Sequence, residues 1–113
     1  MKIYYNPRCS TCRKTLELIR AAGIEPEIVD YMRTPLSISE IKRLLKRLGM
    51  APLELMRKKE DLYKELGVGT LPFSKEELIR ILAENPRLME RPIVVTETKA
   101  AVCRPPEKVT ELL

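Results

Sequence analysis

Lys2-Ile3-Tyr4-Tyr5-Asn6-Pro7-Arg8-Cys9-Ser10-Thr11-Cys12-Arg13-Lys14-Thr15-Leu16 is the stretch on which the reading turns. Lys2–Tyr5 is short, aromatic and β-branched, and Asn6-Pro7 bounds it, which reads as a strand followed by a turn. A helix then starts near Ser10 and runs to Ala22, with Gly23 as its stop. Leu16 and Ile19, with Cys12 and Thr15, fall at three- and four-residue spacing, so one face of this helix can pack on a sheet. Cys9 and Cys12 therefore sit at the start of the first helix, directly after the first strand. Backbone N–H groups and the helix dipole favour negative charge at that end, so a thiol there ionises more readily. Arg8 and Arg13 flank the pair and push the same way. Cys9, before the helix or in its first turn, is the expected nucleophile; Cys12, one turn further in, is a possible resolving thiol.

Outward from this unit, Ile24–Tyr31 reads as a second strand with Ile28 and Val29 at its centre. Residues 37–88 then turn helical. Ser37-x-x-Glu40 and Ser74-x-x-Glu77 are capping boxes, each followed by apolar residues at helical spacing. Pro52 opens a short helix through Leu55 and Arg57, and Asp61–Leu66 forms another that Gly67 closes. Asn85-Pro86 ends the last helix. Pro92–Thr96 and Ala100–Cys103 read as strands joined by a turn at Glu97-Thr98-Lys99, and Pro106–Leu113 as a short final helix. The expectation is one α/β domain over residues 1–113, with a helical insertion at about 37–88.

Composition narrows the function. The chain has 113 residues, 44% hydrophobic and 33% charged, with net charge +5 and no histidine. The cations are interspersed with acids and aromatics are few, which argues against a nucleic-acid surface. No apolar run approaches the ~20 residues that span a bilayer, and Met1-Lys2 leads into only a short one, so no signal peptide and a cytoplasmic location are expected. Three cysteines in a reducing compartment read as redox or metal chemistry. A closed zinc site would need ligands beyond Cys103, so no metal is assigned. Two readings stay open beside the redox one: Cys9 and Cys12 as buried small hydrophobes, and Cys103 as a packing thiol or as part of a disulfide relay. Arg57, Arg91 and Arg104 stand on three segments; each alone is an ordinary surface residue, but together such guanidinium forks suit a tetrahedral oxyanion. The Arg91–Pro92 bond, ahead of a strand, is a candidate cis peptide.

Tyr5-Asn6-Pro7-Arg8-Cys9 with Arg13-Lys14-Thr15-Leu16, Arg57-Lys58 ahead of Tyr63-x-x-Leu66-Gly67, and Arg91-Pro92-Ile93-Val94-Val95-Thr96 followed by Cys103-Arg104-Pro105 together resemble the ArsC family of arsenate reductases, the glutaredoxin-coupled type. The resemblance covers essentially the whole chain. It implies a thioredoxin-like fold, a mixed four-stranded sheet with a helical insertion between the second and third strands and a cis proline at Pro92. It implies that Cys9 attacks arsenate, that Arg57, Arg91 and Arg104 bind the oxyanion, and that glutathione and then glutaredoxin release arsenite and restore the thiol. No bound cofactor is implied; glutathione would be a co-substrate. Two positions depart from the well-studied members. Tyr5 stands where they have a histidine, and Cys12 where they have a serine. A second thiol at Cys12 can attack the Cys9 adduct internally, giving a disulfide that thioredoxin or glutaredoxin could reduce. The alternatives are a thiol oxidoreductase of the same fold with another substrate, or a Spx-like redox regulator that binds RNA polymerase. The Cys103-Arg104-Pro105 segment is reductase-like and unlike Spx. A monomer is the default expectation.

Overall fold

A computed structural model describes all residues, 1–113. The elements in order are β1 (Lys2–Tyr5), α1 (Ser10–Ala21), β2 (Glu27–Asp30), α2 (Ile38–Leu48), α3 (Asp61–Leu66), α4 (Lys75–Glu84), β3 (Ile93–Val95) and β4 (Ala100–Val102). Three 3-10 turns, at Pro52–Leu55, Pro86–Leu88 and Pro106–Leu112, complete the chain. The backbone forms two compact units: residues 1–34 with 91–113, and residues 35–90.

The first unit holds a four-stranded sheet of order β2-β1-β3-β4. β1 runs parallel to β2, with Ile3 opposite Ile28, and antiparallel to β3, with Ile3 opposite Val94. β3 and β4 form a hairpin. A parallel pair cannot be joined by a tight turn, so α1 is the crossover between β1 and β2. Its buried residues are Cys12, Thr15, Leu16 and Ile19, the spacing read from the sequence. Leu16 and Ile19 join Ile3, Val94, Cys103 and Val109 in one core cluster. Ile3 and Val94 are register partners, so they share the sheet face that α1 covers.

The second strand is shorter than expected. Pro26 has no N–H to give a ladder, and pairing begins where Glu27 N–H donates to the Met1 carbonyl at 2.9 Å. At its other end Asp30 Oδ1 accepts the N–H groups of Met32 and Arg33, which turns the chain away. β2 is also an edge strand, and Ile28, expected at its centre, is exposed. Cys103 lies just past β4, where its N–H donates to the Pro92 carbonyl at 2.9 Å. The final segment is a 3-10 turn that buries Val109.

The second unit is the helical block. Ser37 caps α2 by accepting the Glu40 N–H. Ser74 caps α4 in a reciprocal box with Glu77. Gly49 ends α2 in the left-handed region (φ 65°), and Met50 N–H returns to the Leu45 carbonyl, a Schellman closure. Ile41, Leu44, Leu45, Leu55, Ile79, Leu82 and Leu88 are among its buried apolar residues. The turn at Pro52 stops at Leu55 and does not continue through Arg57 as expected. Met56 is extended and bridges to Met89, with Arg57 N–H donating to the Leu88 carbonyl and Glu90 N–H to the Leu55 carbonyl, each at 2.7 Å.

Two substitutions test this packing by urea unfolding. Ile19→Ala removes a fully buried branch of the α1 face and is expected to cost about 2–4 kcal/mol. Ser74→Ala removes one cap and is expected to cost about 1 kcal/mol. An Ile19→Ala loss no larger than that of Ser74→Ala would contradict the assigned core.

Candidate active site

The first unit brings together Cys9, Cys12, Arg91, Pro92 and Arg104. Cys9 is the N-cap residue of α1, with extended backbone (φ −92°, ψ 119°). Its N–H donates to the Asn6 carbonyl at 3.0 Å and its carbonyl accepts from Arg13 N–H at 3.1 Å. Asn6 Oδ1 accepts the Arg8 N–H at 3.0 Å, and Arg13 Nη1 reaches back to the Pro7 carbonyl at 2.8 Å. These four bonds fix the loop from residue 6 to the first turn of α1, and with it the position of the sulfur.

Cys9 is 9% exposed. Burial works against a charged sulfur. The Cys12 backbone N–H, a hydrogen bond from the Arg91 guanidinium, the Cys12 thiol and the Arg91 charge together outweigh that penalty. They lower the Cys9 pKa from the ordinary thiol range to about 7. Arg104 Nη1 lies 3.9 Å from Cys9 Sγ, a long contact, and donates at 3.0 Å to the Arg91 carbonyl. Arg104 is thus tied to the segment that carries Arg91. Arg91 Nε is buried and has no hydrogen-bond partner, an orphan donor of the kind that native structures normally satisfy.

Cys12 differs from Cys9 in kind. It is fully buried on the core face of α1. Burial and then the neighbouring Cys9 push its pKa up to about 12. Cys103 is fully buried in the core cluster, and burial raises it to about 11. All three thiols are free.

The Arg91–Pro92 peptide is cis. So is Arg104–Pro105, which the sequence reading did not anticipate. Arg8 is exposed, and its guanidinium makes no ion pair. Arg57 belongs to the second unit. There its guanidinium contacts Glu60 at 3.1 Å and Glu90 at 3.6 Å, two carboxylates the sequence reading had not connected with it. Asn6 was expected only to bound the first strand, and its side chain proves to hold the loop as well. An Asn before Pro, two residues ahead of Arg8, carried the signal of a side chain that bonds backbone two residues on.

Reactivity should follow these differences. At pH 7.5 limiting iodoacetamide is expected to label Cys9 and spare Cys12 and Cys103, read by peptide mass spectrometry, because only the thiolate attacks. Arg91→Leu should slow labelling at that pH by about fivefold or more, since loss of the facing charge raises the Cys9 pKa. Equal labelling of Cys9 and Cys12 would contradict the assignment.

The geometry can be set beside known proteins. A profile of the ArsC family matches residues 4–112. The uncharacterized protein YfgD of Escherichia coli K12 is 53% identical over all of this chain and 96% of its own length. The arsenate reductase of Neisseria meningitidis serogroup A is 45% identical over all of this chain and 97% of its own. Among solved structures, arsenate reductase from Vibrio cholerae superposes with a TM-score of 0.94 at 46% identity, covering 100% of this chain and 98% of that one. The mixed sheet with its helical insertion is the thioredoxin-like arrangement expected from the sequence. No helix is long and apolar enough to cross a membrane. The match over nearly the whole length, on a chain whose Cys9 caps a helix beside Arg91 and Arg104, places this protein in the ArsC family.

Proposed function

We propose that the chain reduces arsenate to arsenite at Cys9. The observation that carries this reading is the placement of the Cys9 sulfur at the start of α1 with the Arg91 guanidinium beside it, which favours its charged form, while Arg91 still holds a buried donor without a partner. A thiolate and an unfilled guanidinium donor are what a nucleophilic attack on an oxyanion needs. The likeness to the arsenate reductases of Neisseria meningitidis and Vibrio cholerae supports the choice of anion.

The chemistry runs in three steps. The Cys9 thiolate attacks arsenic, an S–As bond forms, and one arsenate oxygen leaves as water after protonation. A second thiol then attacks the Cys9 sulfur. An S–S bond forms, the S–As electron pair stays on arsenic, and As(V) departs as As(III) while two thiol sulfurs become a disulfide. A thiol donor, glutaredoxin or thioredoxin, reduces that disulfide and returns Cys9. Arg91 and Arg104 hold the anion and offset the charge that builds on its oxygens. The role that resemblance implies for Arg57 rests on the sequence alone, and its two carboxylate partners already offset its charge.

The second thiol is the step on which the structure bears most. Cys12 is held protonated near neutrality, chiefly through burial and secondarily through the neighbouring Cys9. A protonated thiol is a poor nucleophile. This favours an external thiol, with glutathione as the small-molecule candidate, ahead of an internal Cys9–Cys12 disulfide.

The test is arsenite formation by the purified protein, with glutathione plus glutaredoxin or with thioredoxin. Arsenite is expected with glutathione and glutaredoxin, and Cys9→Ser should abolish it. No arsenite under either donor would overturn the reading. The Cys12→Ser protein is expected to go on producing arsenite with glutathione; loss of turnover there would make Cys12 the second thiol.

A further inference from the structure

We infer that the pocket between α2 and α4 binds a small organic anion, one in which a carboxylate or phosphate head is joined to an apolar body. The pocket has a volume of about 400 Å³, within the range of about 300–1,000 Å³ usual for small-ligand sites. It lies wholly within the second unit and includes none of the residues assigned to arsenate reduction. The inference therefore goes beyond that reaction and does not depend on it.

Charge is the first observation. Lys42 and Lys46 of α2 and Lys75 of α4 all line the pocket, and Glu76 is the one acid among them. Lys42 and Lys46 are one turn apart on the same face of α2, a spacing at which like charges repel. Glu76 relieves only Lys42, through an ion pair at 3.0 Å that crosses from α4 to α2. Lys46 and Lys75 are exposed, and neither ammonium has an ion-pair partner in the fold. The chain has 16 acids, yet it leaves these two cations on one pocket uncompensated. An anion bound there would offset them. Ammonium groups are point charges with rotatable donors, so they hold a carboxylate or a phosphate without the planar match that a guanidinium asks for.

The lining supplies the second observation. Where the pocket meets the core it is apolar: Leu45 and Ile79, both buried, with partly buried Met50 beside them. Gly49 adds no bulk, and a methyl group in place of its hydrogen would meet nothing within 4 Å. A bare inorganic anion would leave this apolar lining unused, whereas an apolar body joined to the head would cover it. Nucleic acid is disfavoured, because no aromatic side chain lines the pocket to stack a base.

The experiment is an NMR titration of the full chain with anilinonaphthalene sulfonate, whose sulfonate stands in for the head and whose rings stand in for the body. Backbone amides of Lys46, Gly49, Met50, Lys75 and Glu76 are expected to shift. N-phenylnaphthylamine, the same body without the charge, and inorganic phosphate, a head without the body, should each bind more weakly. Lys46→Gln and Lys75→Gln are exposed changes; each should weaken sulfonate binding by about threefold. Lys75→Arg keeps the charge and should bind as the natural protein does. Shifts elsewhere or none, equal binding of the uncharged amine, or unchanged affinity when both lysines are replaced would each overturn the site. A single-stranded oligonucleotide that shifts these amides at lower concentration than the sulfonate would overturn it in favour of a polyanion surface.

Discussion

A sulfur that is nearly out of water and still carries charge near neutrality is the constraint on which the site depends. Burial alone would protonate Cys9, as it does Cys12 and Cys103. What separates Cys9 is its place at the cap of α1, where the Cys12 backbone N–H faces it, and the guanidinium of Arg91 beside it. The three cysteines share one chemistry and differ only in what surrounds them. Moving the nucleophile one turn into the helix, to the position of Cys12, would exchange that support for the core.

The fold delivers these groups from both ends of the chain. β1 ends at Tyr5, and the turn through Asn6 and Pro7 feeds Cys9 into α1. β3 is antiparallel to β1, so the residues just before β3 fall beside the end of β1 that leads to Cys9. Arg91 and Pro92 are those residues. β4 pairs with β3, and the chain leaving it brings Arg104 back to the Arg91 carbonyl. A sheet register that buries Ile3 and Val94 under α1 therefore also sets the distance between a sulfur and two arginines far from it in sequence. A one-residue slip in β3 would turn Val94 out of the core and displace Arg91 from Cys9 together.

Much of this was legible. The strand-turn-helix around Cys9 could be read because period-2 and 3.6-period apolar patterns meet at Asn6-Pro7. The helix caps at Ser37 and Ser74 could be read because capping chemistry is local. What escaped was set by tertiary hydrogen bonding. The shortening of β2 comes from Pro26 and from the Asp30 side chain turning the chain. The extended backbone at Met56 comes from a bridge to Met89, distant in sequence. The Glu90 carboxylate reaches Arg57 through the same bridge, which sets the two segments side by side, whereas Glu60 is a local partner three residues on. The lowered pKa of Cys9 was anticipated in direction from helix position, and Cys12 was expected to be buried. The part that Arg91 plays at Cys9 needed the sheet register, and the raised pKa of Cys12 needed the core that buries it.

The central claim is that Cys9 is a thiolate near neutral pH because Arg91 and the start of α1 hold its charge. Absorbance of the thiolate at about 240 nm, followed against pH in a Cys12→Ser, Cys103→Ser protein that keeps Cys9 alone, tests it most directly. The account predicts a single step well below the ordinary free-cysteine value of about 8.5, near the value of about 7 set by its surroundings, and an upward displacement of that step when Arg91→Leu is added. A step at or above the ordinary value, or one that Arg91→Leu leaves in place, would contradict it.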